Sequence, residues 1–172
     1  VLLGIIFRGT AFTFRHYDVV RDKSHKYYTL LFRISSFITP VFLGMVLGAM
    51  ILGRITFDTS KGFYEVFMAP WLNLFCISMG IFSACLFAYI SATFLVGETK
   101  IERERKMYVR FSKRFMLLTV LTGLVVFITA ELESHDLLRQ FLRSTPSIIM
   151  LVLATILCPV LWHFLNKEKN KT

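Results

Sequence analysis

Two arginines near the N-terminus, Arg8 and Arg15, carry the strongest chemical signal in the sequence. They stand in Phe7-Arg8-Gly9-Thr10-Ala11-Phe12-Thr13-Phe14-Arg15, directly after a wholly apolar opening. On a helix, residues seven apart share a face, with Phe12 close to it, and Arg8 then lies about 10 Å deeper along the axis than Arg15. An ionisable group set into an apolar helix faces a bundle interior or a wet cavity, or its long stem carries the charge out to the interface. The first role makes Arg8 and Arg15 the lining of a polar path. The second makes Arg8 an anchor. The residues themselves are compatible with both.

Glu98 is the third candidate. It follows Gly97 at the end of a long uncharged run and opens a basic stretch. A carboxylate there serves as a mouth for protons, as a partner for Arg8 or Arg15, or simply as a solvated charge neutralised by its basic neighbours. Other chemistry has little footing. No Gly-rich phosphate loop, paired-cysteine motif or zinc-protease motif occurs. His16, His25 and His135 fall in charged connectors, and only His163 lies in an apolar run, beside Trp162. A single interfacial histidine lacks the second ligand that axial haem binding usually requires. Cys76, Cys85 and Cys158 all sit in apolar runs and match no metal or redox spacing. The expectation is therefore no metal, no haem and no catalytic residue in this chain.

The elements that position these residues are membrane helices. Hydrophobic residues make up 55% of the 172 and charged residues 18%, with uncharged runs too long for a soluble domain of this size. The net charge of +9 gathers in short patches between apolar runs, a membrane-topology signature and not a nucleic-acid groove. An all-α, multi-pass transmembrane bundle follows, as one transmembrane domain over 1–172. Its helices are expected at about 1–14, 34–53, 72–97, 111–130 and 147–165: the end of one helix plus four spans. The chain opens at Val1 inside an apolar segment, without a charged leader. The expectation is a fragment whose first helix is cut.

Within these spans, small residues mark close packing. Gly44 and Gly48 form a GxxxG pair, Ala49 and Gly53 repeat the spacing, and Gly80, Ala84, Ala88 and Ala92 form a ridge. Pro40 is expected to kink the second segment near its start. Pro70 and Trp71 suit an interfacial stretch before the third segment, and Tyr27, Tyr28 and Phe32 an aromatic belt. Basic connectors at 15–33, 98–114 and 166–172 alternate with mixed or acidic ones at 54–65 and 131–143. The alternating signs of 98–114 suit a solvated helical extension, with Lys113 and Arg114 reaching the head groups. The basic set belongs on the cytoplasmic side.

The phrase Phe7–Arg15 resembles the one that ends the third helix of subunit II in cytochrome bd quinol oxidases, roughly Phe-Arg-Gly/Pro-x-x-Phe-acid-Phe/Tyr-Arg. Ala92-Thr93-Phe94-Leu95, with Gly97-Glu98-Thr99 and the charged extension behind it, is similar to the turn after that family's fifth helix. The resemblance covers residues 1 to about 130, and the last span as one more helix. Thr13 stands where the family carries an acid, so a carboxylate pairing is missing there. By the same resemblance two helices would precede Val1 and at least one would follow Thr172.

What this resemblance implies is a subunit of a terminal oxidase that couples quinol oxidation to reduction of oxygen to water. The b-type and d-type haems and the substrate quinol site would belong to subunit I, the partner in a prokaryotic cytoplasmic (inner) membrane. Subunit II would support haem assembly, with a structural quinone or a proton path left open. On that footing Arg8 lines a polar path and Arg15 sits at its cytoplasmic mouth. The competing class is a fragment of a multi-pass transporter or permease. It would require midplane Gly/Pro breaks and an inverted repeat, but Pro40, Pro70 and Pro159 fall near span ends.

Overall fold

Seven helices account for most of the residues that the computed structural model describes, which are 1–17, 24–53, 62–133 and 137–170. They are α1 (Leu2–Tyr17), α2 (Ser24–Ile51), α3 (Phe63–Phe67), α4 (Leu74–Glu98), α5 (Glu102–Glu133), α6 (Leu137–Arg143) and α7 (Thr145–Asn170). There is no strand among the described residues. Among the described residues, four stretches are long and apolar enough to cross a bilayer: Lys26–Ile51, Leu74–Glu98, Glu102–Glu133 and Thr145–His163. The protein is an all-α, multi-pass membrane protein.

Its helices outrun the apolar segments. α2 takes in residues 24–33, which the charge pattern assigns to a connector, because nothing between Ser24 and Arg33 breaks a helix. α5 likewise begins at Glu102, so the charged stretch is helical and flows straight into the span. Charge ends a membrane span but not a helix. Pro40 consequently sits in the middle of α2, not near its start, and the helix continues through it. The acidic stretch after residue 130 is also helical where described, in the last turn of α5 and in α6.

Gly53 corrects one expectation. It is not a packing residue of α2: it lies beyond the last helical residue with φ 61°, the left-handed conformation in which glycine is at ease. The Leu52 amide donates to the Gly48 carbonyl at 3.1 Å and the Gly53 amide to the Met50 carbonyl at 3.1 Å, closing the helix end. At the start of α4, the Asn73 carbonyl accepts the Ile77 amide at 3.0 Å, while its side-chain amide donates to the Pro70 carbonyl at 3.2 Å. Residues 68–73 form turns before that helix begins.

The described chain divides into two compact units, residues 1–84 and 85–172. In the first, α1 runs antiparallel to α2: Gly4 packs on Thr39, Arg8 on Phe32 and Phe14 on Tyr28, numbers rising on one helix as they fall on the other. α2 runs antiparallel to the first half of α4 across glycines. A Cβ built on Gly44 would meet the Met79 carbonyl oxygen, and would lie 2.8 Å from the Gly80 Cα. One on Gly48 would lie 3.0 Å from the Cys76 Cα. Helix backbones approach this closely only where side chains are missing. Ala49, Phe75 and Cys76 are buried along the same unit.

In the second unit the end of α4 runs antiparallel to the start of α5, with Val96 and Val109 buried against Tyr108. Phe127 of α5 meets Phe141 of α6 edge-on at 5.5 Å between ring centroids. Lys113 of α5 lies over the Trp162 ring of α7 at 5.4 Å. None of the described side chains in the apolar window of α7 is buried, as suits a helix solvated by lipid or by another protein.

Candidate functional site

Arg8 falls halfway along α1, one turn from Phe12 on the face that meets α2. Its guanidinium stands 5.5 Å from the centroid of the Phe32 ring. Phe32 in turn tilts against Phe12, 6.5 Å between centroids, and one turn further Phe14 stacks on Tyr28 at 5.8 Å and 20° between planes. The α1–α2 hairpin thus ends in an aromatic cluster with a guanidinium at its inner edge. The negative face of the ring attracts the cation, an effect of about 0.5–1 kcal/mol at an exposed site such as this one. Ala11, almost fully buried, lets the two helices come together between Arg8 and the aromatic pair.

Polar groups follow Arg8 along the same contact. Thr39 packs against Gly4, one turn N-terminal to Arg8, and its hydroxyl donates to the Ser35 carbonyl at 2.6 Å. Ser35 is buried, and the Ser36 hydroxyl is out of reach of solvent. On α1 itself, Thr10 donates to the Ile6 carbonyl at 2.9 Å and Thr13 to the Gly9 carbonyl at 2.9 Å. The hydroxyls of Thr10, Thr13 and Thr39 are satisfied within their own helices, which lets them sit in an apolar setting. Thr13 is therefore no substitute for a carboxylate.

The guanidinium limits what Arg8 can do. Arginine stays protonated, so it cannot relay a proton; it can hold a fixed positive charge and orient up to five hydrogen bonds toward an anion or water. Of the three candidate residues only Glu98 can exchange a proton. Glu98 is the last residue of α4, exposed, beside Thr99, whose hydroxyl donates to the Leu95 carbonyl at 2.7 Å. Arg8 belongs to the first unit and Glu98 to the second. Arg15 lies in the last turn of α1, and its side chain is outside the described residues, as are those of His16, His25, His135 and Cys158.

Two relationships escaped the sequence. The aromatic residues 27, 28 and 32 look like a belt, whereas Tyr28 and Phe32 are partners of α1; recognising that requires the antiparallel register of a hairpin. The other is Thr93, from the phrase before Glu98. It bonds to Ser112 of α5 at 2.8 Å, and Ser112 is fully buried. Its signal was present as a small hydroxyl residue amid large apolar and basic ones.

For a haem or a metal, the donor set is sparse. His163 is exposed on α7, and among the described residues no three His, Cys, Asp or Glu side chains come together.

Searches of curated proteins and of solved structures each returned no match. A family model does match: that of cytochrome bd terminal oxidase subunit II, over residues 1–172. Its extent takes in the arginine phrase of α1, the α4–α5 turn and the last span alike. A terminal oxidase of this kind is an oxidoreductase complex with haems and at least one further subunit. The chain belongs to the cytochrome bd terminal oxidase subunit II family.

Proposed function

We propose that the chain serves as the haem-free subunit II of a quinol-oxidising terminal oxidase, seated against the haem-bearing subunit I in a prokaryotic inner membrane. The observation that carries this is the family match over the whole chain. The division of labour follows the resemblance of Phe7–Arg15 to the subunit II phrase, in a family whose haems belong to subunit I. Catalysis then belongs to the partner, and this chain contributes structure and polar lining.

In this arrangement residues 15–33, 98–114 and 166–172 face the cytoplasm, following the excess of Lys and Arg in these segments. Arg8 supplies a fixed positive charge along the α1–α2 contact, with Arg15 nearer the cytoplasm. Glu98 supplies a titratable group on the same side of the membrane. A structural quinone is compatible with the Arg8–Phe32 cluster, since a guanidinium donates to a quinone carbonyl and an aromatic ring stacks on its head group.

The deciding experiment is purification of the full-length protein in detergent with whatever accompanies it, followed by a reduced-minus-oxidised visible spectrum and quinol-dependent oxygen uptake. Co-purification of a partner bearing b- and d-type haem bands is the expected result. A self-contained, haem-free preparation with no oxidase activity would overturn the proposal.

A further inference from the structure

α5 changes chemistry along one of its faces. At 3.6 residues per turn, Arg103, Lys106, Arg110, Lys113 and Arg114 fall within an arc of about 100°. Arg103, Lys106, Arg110 and Arg114 are all exposed. Glu102 borders the arc one turn above Lys106, while Glu104 and Arg105 lie off it. Directly below, the same arc continues as Leu117, Leu121 and Leu124, which are exposed too. The adjoining side of the helix, with Val109, Ser112 and Met116, is the buried one, and the half-buried Lys113 stands at the border between the two. The positive-inside tendency asks only for cations on one side of the membrane. It does not ask for them on one helix face above a column of leucines.

The switch from cation to leucine falls at Lys113–Leu117, and there α7 adds an aromatic. Trp162 lies against Lys113 at 5.4 Å and is itself partly exposed. Tryptophan settles at the level of the lipid head groups, as does a lysine whose stem runs along apolar surface. Two helices therefore mark the same depth. α5, 32 residues long, extends about 48 Å, well beyond a hydrocarbon core of about 30 Å. Arg110 stands about 5 Å above Lys113, within the head-group layer, and Lys106 and Arg103 stand higher, where their field still reaches the phosphates.

We propose that this face binds an anionic phospholipid, with Arg110, Lys113 and Arg114 around the phosphate, Trp162 beside the glycerol region and the acyl chains along Leu117, Leu121 and Leu124. The leucine column is what favours a lipid over a free anion or an acidic protein, which would use the cationic half alone. The proposal needs the chain to span a membrane but does not depend on which side is cytoplasmic.

The test uses the full-length protein in its complex, delipidated in detergent, with dioleoylphosphatidylglycerol and dioleoylphosphatidylcholine as probes and native mass spectrometry to count retained lipid. Wild type should retain the anionic lipid over the zwitterionic one by about tenfold, the combined effect of a few basic residues near a phosphate layer. The preference should fall as salt rises and, at constant ionic strength, survive an excess of inorganic phosphate of about 50-fold over lipid. Arg110→Gln/Lys113→Gln/Arg114→Gln should lose most of the preference, and Arg110→Lys/Arg114→Lys should keep it. Should the triple variant fail to assemble, the salt and phosphate series on wild type still decides. An unchanged preference in the triple variant, a salt-independent preference, displacement by inorganic phosphate, or loss of a bound acidic protein in place of lipid would each overturn the proposal.

Discussion

The hydroxyls of Thr93 and Ser112 lie 2.8 Å apart and tie α4 to α5, and the direction of the bond follows from a second contact. The Thr93 hydroxyl donates its one proton to the Tyr89 carbonyl at 2.9 Å, so Ser112 is the donor to Thr93. Ser112 is fully buried, with Val109 and Met116 on the same face. Replacing Ser112 by Ala removes the donor yet leaves Thr93 satisfied on its own helix. The expected loss is modest, about 0.6–1.7 kcal/mol for an interhelical bond of this kind. Denaturant titration of the purified protein in detergent reads it, and a change below about 0.3 kcal/mol would show that the bond contributes nothing.

Glycines in this chain should divide sharply on substitution by Ala. Gly44 faces backbone of α4 so closely that an added methyl has no room, and one on Gly80 would lie 2.9 Å from the Val41 carbonyl oxygen. Either change must push the two helices apart, for about 1–3 kcal/mol. Gly9, by contrast, has nothing within 4 Å of an added Cβ. There Ala should stabilise α1 by up to about 1 kcal/mol through helix propensity. A thermal-shift comparison of G44A, G80A and G9A checks both signs at once.

A double-mutant cycle isolates the Arg8–Phe32 contact. Arg8→Leu, Phe32→Leu and the pair together should give a coupling of about 0.5–1 kcal/mol in unfolding free energy. Strict additivity would mean that the ring does not hold the guanidinium.

The functional role of Arg8 separates from that contact in turnover. If Arg8 lines a polar path, Arg8→Leu in the assembled oxidase lowers quinol-dependent oxygen uptake severalfold, and Arg8→Lys, which keeps the charge, restores much of it. Haem content measured on the same samples reports assembly. Full activity in Arg8→Leu would identify the residue as an interfacial anchor.

Much of the fold is legible in the residues, because a long uncharged run in a bilayer has only the helix open to it. The cores of α2, α4, α5 and α7 follow from that alone. Helix ends do not, since Ser24–Arg33 and Glu102–Arg110 are charged but contain no breaker, and hydropathy is blind to helix outside the membrane. Gly53 illustrates another limit: four-residue spacing from Ala49 looks like packing, but only the backbone reveals the left-handed turn that ends α2. At the site, Arg8 stands out by type, whereas its ring partner Phe32 does not. Twenty-four residues of sequence separate the two, and the register of the α1–α2 hairpin is what joins them.

The seam between α2 and α4 has a thermal consequence. Gly44, Gly48 and Gly80 bring no side chain to the contact, so docking there freezes few rotamers. What holds the helices is dispersion between backbones already ordered by their own hydrogen bonds and the side chains that flank the glycines, among them Val41, Met45 and Met79. An association with so little motion to surrender should weaken only slightly on warming. Where heat loosens this protein, the contacts built from long, mobile side chains, such as Lys113 over Trp162, should give way before that seam does.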